Sequence, residues 1–200
     1  MDINEMKTLF LESAVHVVAR DGLEKATTKA MAKAAGLNEA YIYKCFAGKD
    51  ELLNEALHRE DENFAALLDR MLPVMRDTRF PWKDRAFLLW KQSWDFILQK
   101  RDDCVFYIRF YFASIGMSAV YRKHLDSYQP LLDKISPAFR PGTNLIMVLH
   151  QLFCTMLFYA SRVMDGDLEN NETTTRWVFE QIYCFIVPHV RKELLEEEEK

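Results

Sequence analysis

Apolar residues recur at intervals of three and four along nearly all of this 200-residue chain, and nowhere do they alternate convincingly with polar ones. A helix buries one face at that period, whereas a half-buried strand needs a period of two. The chain is therefore expected to be all-α. Its breaks are legible as chemistry. Asp2 and Glu5 form a start signal, and Met6, Leu9, Phe10, Ser13, Ala14 and Val17 keep helical spacing as far as Gly22. Thr27 caps a second, short helix carrying Met31, Ala32 and Ala35, which stops at Gly36. Asn38 caps a third, which ends at Ala47-Gly48. Lys49 opens a long fourth helix running towards Leu72, where Pro73 stops or kinks it.

Further breaks divide the rest. Pro81 in DTRFPW (77–82) starts a fifth helix with Phe87, Trp90 and Trp94 on one face, and QKRDD (99–103) separates it from the aromatic run that follows. SPAFRPGTN (136–144) and MDGDLENNETT (164–174) read as loops. Long helices flank the second loop, about 144–164 and 173–196, the latter interrupted by Pro188. The expected architecture is three short helices followed by about six longer ones, about nine in total. The final EEEEK reads as a solvated end.

Composition narrows the function. Hydrophobic residues make up 50% of the chain, enough for a substantial core. A net charge of −4 excludes a general polyanion binder, so any nucleic-acid footprint has to be local. No uninterrupted apolar run approaches the ~20 residues needed to span a bilayer, and MDINEMKTLF lacks the layout of a secretory signal. Cys45, Cys104, Cys154 and Cys184 are far apart and, like the five scattered histidines, have no metal-ligand spacing. A cytoplasmic protein with reduced thiols, no metal, no cofactor and no membrane association is expected. No nucleophile, metalloprotease, dinucleotide or P-loop motif is present, so the sequence carries no support for an enzyme.

One segment carries a specific signal. In AAGLN (34–38), small alanines allow close helix approach, Gly36 permits a left-handed turn and Leu37 plugs the angle between helices two and three. Those are the requirements of a helix-turn-helix, whose second helix lies in the major groove of DNA. Ile42 and Phe46 point inward, while Glu39, Ala40, Tyr41, Tyr43 and Lys44 cover the outward arc. Thr28 and Lys49 sit at helix N-termini, where backbone N–H groups favour a phosphate. Between Arg20 and Lys49 there are six bases and three acids, a local +3 in an acidic chain. The segment AxxAG by itself also occurs wherever two helices cross tightly.

The composite Thr27-x3-Met31-Ala32-x2-Ala35-Gly36-Leu37-x4-Ile42-Tyr43-x2-Phe46-x2-Lys49-x2-Leu52 closely resembles the DNA-binding domain of the TetR family of bacterial transcriptional regulators. The likeness covers about residues 8–54. It implies a DNA-binding domain over 1–48 and a ligand-binding and dimerisation domain over 49–200. It also implies that Tyr43, Thr28 and Lys49 meet backbone phosphate, with Lys29, Glu39, Ala40 and Tyr41 nearest the base edges. The implied function is a homodimer on a palindromic DNA operator that represses transcription and lets go when a small-molecule effector fills the C-terminal domain. An activator, or a protein-interaction module on the same scaffold, is the alternative. Cys45 and Glu39 depart from residues frequent in the family, which bears on the operator sequence. Glu39 either accepts a hydrogen bond from a cytosine amino group, with Lys29 beside it, or only caps helix three or pairs with Lys29.

In the C-terminal part, VFYIRFYFASIGM (105–117) is aromatic around most of its circumference, as befits a helix buried in its domain. Together with Trp90 and Trp94, Phe106, Phe110, Tyr121, Phe153 and Met156 line a cavity for a hydrophobic or aromatic ligand, or else simply pack together. Arg109 and His150 are polar interruptions that either orient a ligand or serve the fold. The two last long helices each carry two apolar stripes: Leu145, Leu149, Leu152 and Met156 beside Ile146, Phe153 and Leu157 on the first, Val178, Ile182 and Phe185 beside Phe179, Tyr183, Ile186 and Val190 on the second. Burial on both sides, against the domain and against a second copy, accounts for them, as does complete burial within a monomer.

Overall fold

The computed structural model describes the backbone of residues 1–113 and 118–196, and the side chains of these except 118–121. Among the described residues there are ten α-helices, three short 3-10 segments and no strand beyond a single antiparallel bridge between Phe139 and Val190. The all-α expectation holds. The chain forms two compact units, one of residues 1–63 and 100–127, the other of residues 64–99 and 128–200. Residues 100–127 thus group with the N-terminal helices, a division by compactness that cuts across the functional one drawn at residue 48.

The first unit contains α1 (Ile3–Asp21), α2 (Thr28–Ala34), a 3-10 turn (Glu39–Tyr41) running into α3 (Ile42–Cys45), the start of α4 (Lys49–Met75), α6 (Arg101–Ala113) and most of α7 (Ser118–Ile135). A complete capping box starts α1: Asp2 accepts from the Asn4 and Glu5 amides, and Glu5 accepts from the Asp2 amide. The buried face of α1 (Phe10, Ala14, Val17 and Val18, all fully shielded) packs along α6. At its far end Arg109 donates from Nη1 to the carbonyls of Val18 and Ala19, at 2.9 and 3.0 Å. Val18 also accepts from the Gly22 amide at 3.0 Å, whereas Ala19 is one of the carbonyls that a helix C-terminus leaves without an intrahelical partner, so Arg109 serves the fold as an external cap.

Behind this layer Asp61, Tyr107 and His124 are buried together. The Tyr107 hydroxyl donates to Asp61 Oδ1 (3.0 Å) and lies 2.9 Å from His124 Nδ1, which is itself 2.9 Å from Asp61 Oδ1. Burying three polar groups is tolerable because each finds a partner in the other two. Next to Asp61 on α4, burial and the nearby Asp103 carboxylate raise the pKa of Glu60.

The second unit holds the remainder of α4, α5 (Trp82–Gln99), the end of α7, α8 (Leu145–Met164), α9 (Glu172–Ile186) and α10 (Lys192–Leu195). Helix α5 packs against α8 and α9, where Trp90 Nε1 donates to the Thr175 carbonyl at 3.3 Å and Lys83 meets Glu180 at 2.8 Å. The last long helix is shorter than the sequence suggested. It ends at Ile186, because Pro188 drives the chain into a 3-10 turn (Val187–His189), and Val190 then bridges to Phe139.

Helix α8 also departs from expectation. By length and composition it is apolar enough to cross a membrane, with mean hydropathy 1.3 over its most apolar window, of which only 22% is buried. Met147 and Phe158 on α8 and Trp177 and Phe185 on α9 stand exposed at 40–59%.

Candidate nucleic-acid interface and ligand cavity

The interface candidate is built from caps. Thr27 accepts from the Ala30 amide at 3.1 Å and starts α2, whose inner side buries Met31 and Ala32. The helix is closed by a hydrogen bond from the Leu37 amide to the Ala32 carbonyl (3.0 Å), and Gly36 sits between them at φ +69°. A side chain is strained there, yet a Cβ on Gly36 would meet nothing within 4 Å. Gly36→Ala should therefore cost only the torsional strain, about 1 kcal/mol, read as a lowered urea midpoint with an unchanged slope.

Asn38 then caps the next turn by accepting from the Ala40 amide at 2.9 Å. Ile42, Cys45 and Phe46 are buried, and the Phe46 ring meets Phe10 edge-on at 6.5 Å between centroids. With the inner face fixed, Ala40, Tyr43 and Lys44 point outward; Tyr43 is 60% exposed. Tyr41 is half-buried, and Lys44 holds its ammonium 4.8 Å above the Tyr41 ring. The partner of Glu39 proves to be Thr28 rather than Lys29. The Thr28 hydroxyl donates to Glu39 Oε1 at 2.5 Å, tying the leading end of the second helix to the first turn of α2. Lys29 is exposed beside them. Lys49 donates to the Leu23 carbonyl at 3.0 Å, so it tethers the start of α4 to the loop after α1.

A capped helix, a left-handed glycine turn and a second helix with one face anchored and the other bare together make a helix-turn-helix. Residues 10–56 match the family model for bacterial regulatory proteins of the tetR family. An HTH-type transcriptional regulator of Haemophilus influenzae is 32% identical over 81 residues, covering 40% of this chain and 41% of the relative. The nicotine-responsive transcriptional repressor HdnoR of Paenarthrobacter nicotinovorans is 28% identical over 82 residues, covering 41% and 42%. The alignment thus spans about two fifths of the length of these curated relatives. Over nearly the whole chain the fold is that of a TetR family transcription regulator from Marinobacter aquaeolei (TM-score 0.73, 16% identity, 90% of this chain and 95% of that one). A second from a Shewanella species is similar to the same degree (TM-score 0.74, 14% identity, 90% and 96%).

The second unit encloses a cavity of about 450 Å3. Phe64, Leu72, Trp82, Leu89, Trp90, Phe139, Leu152, Met156, Phe179, Ile182 and Tyr183 are among its walls. Of the residues expected to line it, Trp90 and Met156 do. Trp94 is buried one layer behind, stacked on Trp90 at 5.2 Å, and Phe153 packs on Phe64 at the same distance. Phe106 and Phe110 belong to the core of the other unit, where their rings stack at 5.6 Å. His150 is half-buried on α8 and is not part of the wall. The side chain of Tyr121 lies outside the described residues. Sequence reasoning missed Trp82, Arg85, Phe139, Phe179 and Tyr183. The α9 stripe Phe179–Tyr183–Ile186 was the available signal, since all three line the cavity.

Proposed function

We propose that this chain is a sequence-specific DNA-binding transcriptional regulator, acting as a homodimer that represses transcription and is released by a small apolar ligand. The observation that carries the reading is the outward face of Ala40, Tyr43 and Lys44, held in register by the buried Ile42, Cys45 and Phe46. Small, aromatic and basic side chains on one bare helical face suit a major groove, and the local positive charge suits phosphates. The repressor sense draws on the relative named as a nicotine-responsive repressor, and ligand release on the enclosed cavity. The exposed apolar residues of α8 and α9 support a second copy as their cover. Met147 and Phe158 are three helical turns apart on one face, and Trp177 and Phe185 are two turns apart on theirs.

Footprinting on DNA flanking the gene, at more than one salt concentration, should show a protected palindrome that outlasts binding to unrelated duplex. Uniform protection that vanishes with salt would instead mark a non-specific binder, and no protection would favour a protein-interaction module. Glu39 adds a sharper test. Its Oε1 is engaged by Thr28, which fixes the carboxylate at the leading end of the second helix. If Oε2 accepts from a cytosine amino group, Glu39→Gln should relax preference at a single C·G pair by about 1–3 kcal/mol. Glu39→Ala raising affinity for every sequence equally would show a repulsive bystander.

A further inference from the structure

Most walls of the cavity are long helices, and its exposed lining residues show where it meets solvent. These are Arg76, Thr78, Lys134 and Pro137, which places the opening where α4 and α7 end. Beside it the wall is completed by Ala138 and Phe139 and by Leu194 of α10. The chain after α9 folds back to reach this point. The Arg140 amide donates to the His189 carbonyl at 2.9 Å and the Arg191 amide to the Ala138 carbonyl at 3.0 Å, on either side of the Phe139–Val190 bridge. Two side chains tighten the same join. Arg140 Nε donates to the Val190 carbonyl at 2.9 Å, and Arg191 Nε to the Phe139 carbonyl at 3.1 Å. Residues 187–195 thus form a strap, clamped at 138–140 and carrying Leu194 into the wall.

The strap is held lightly. Its helix, α10, has four residues, and its N-cap Arg191 makes no side-chain capping bond; a helix of one turn has no stability of its own in water. Within 187–195 only Val190 is fully buried. The helices that form the rest of the wall, α4, α5, α7, α8 and α9, run for 15 to 27 residues each. Local opening starts where few buried contacts and water-accessible hydrogen bonds hold a segment. Close-packed helices yield only at greater cost. An enclosed apolar ligand must pass somewhere, and the clamp is the cheapest part of the wall to release.

Resting on the reading of this cavity as the effector site, we propose that the strap is its gate. Ligand enters and leaves when residues 187–195 release 138–140, and the strap re-forms over the bound molecule. The test uses the full chain in stopped flow with N-phenyl-1-naphthylamine, an uncharged apolar fluorophore. Phe139 and Val190 oppose each other as a non-hydrogen-bonded antiparallel pair, whose Cα atoms lie about 4.5 Å apart, within reach of a disulfide. Phe139→Cys with Val190→Cys, in a Cys184→Ser background that removes the exposed thiol, therefore locks the strap when oxidised and frees it when reduced. Oxidation should slow association and dissociation of the probe alike, by about tenfold or more, with Kd nearly unchanged. Arg140→Ala with Arg191→Ala should do the reverse and speed both about tenfold, because two bonds of the clamp are lost. Equal rates in the oxidised and reduced protein overturn the gate, as does a change in dissociation alone, which would mark the bridge as plain wall. Where the cysteine pair fails to fold or cross-link, the arginine pair decides, and unchanged rates there overturn it. If the wild type gives no saturable signal with the probe, the effector-site reading itself fails and takes this inference with it.

Discussion

Phe158→Glu combined with Trp177→Glu should convert the protein to a monomer in sedimentation at micromolar concentration. Its affinity for a two-half-site operator should fall by roughly 10²- to 10⁴-fold, the advantage lost when two linked sites become one. Both side chains are among the most exposed large apolar groups of the described residues, at 58% and 49%, and within the single copy each ring meets the half-buried Tyr159 edge-on, at 5.2 and 5.3 Å. Affinity for one isolated half-site should change little. The choice of positions matters. Phe153 and Phe179 also lie on these helices, but Phe153 packs on Phe64 and Phe179 is 4% exposed in the cavity wall, meeting Phe87 edge-on at 5.1 Å. Charging either would test folding rather than assembly. A wild-type chain that sediments as a monomer, or a double variant that remains dimeric, would remove α8 and α9 as the seam.

Phe106→Ala should destabilise the first unit by about 3–5 kcal/mol, the usual consequence of emptying a fully buried aromatic site. Phe106 has no exposed surface, and its stacking partner Phe110 would border the void. Denaturation in urea reads the loss. The same variant, where folded, should bind cavity ligands as the wild type does, because the cavity lies wholly within the second unit. A Phe106→Ala protein of full stability but altered ligand affinity would return this residue to the ligand wall.

Much of the fold was readable because its signals are local. The Asp2–Glu5 capping box, the Thr27 and Asn38 caps and the left-handed Gly36 each act within a turn of the chain. A sequence carries such signals in full. Pro188 was legible as an interruption but not as an ending. What followed it, a bridge between Val190 and Phe139, depends on a loop some fifty residues away. The helix-turn-helix was legible for the same local reason: Ile42 and Phe46 face inward as their spacing implied, although Cys45 is buried beside them and Tyr41, expected on the outward arc, is half-buried.

The tertiary structure alone decided three things. It gave Glu39 its partner, because Thr28 and Lys29 are adjacent in sequence and only the crossing of the two helices selects between them. It placed Arg109 as the cap of α1 and Arg85 beside a void. It also sorted the aromatic residues, sending Phe106 and Phe110 to a packed core and Trp82, Phe139 and Phe179 to a cavity. Burial is favourable whichever apolar neighbour supplies it, so an aromatic residue announces that it will leave water without saying what it will face. That choice belongs to helix rotation and long-range packing, whereas a cap or a glycine turn is settled within the few residues that make it.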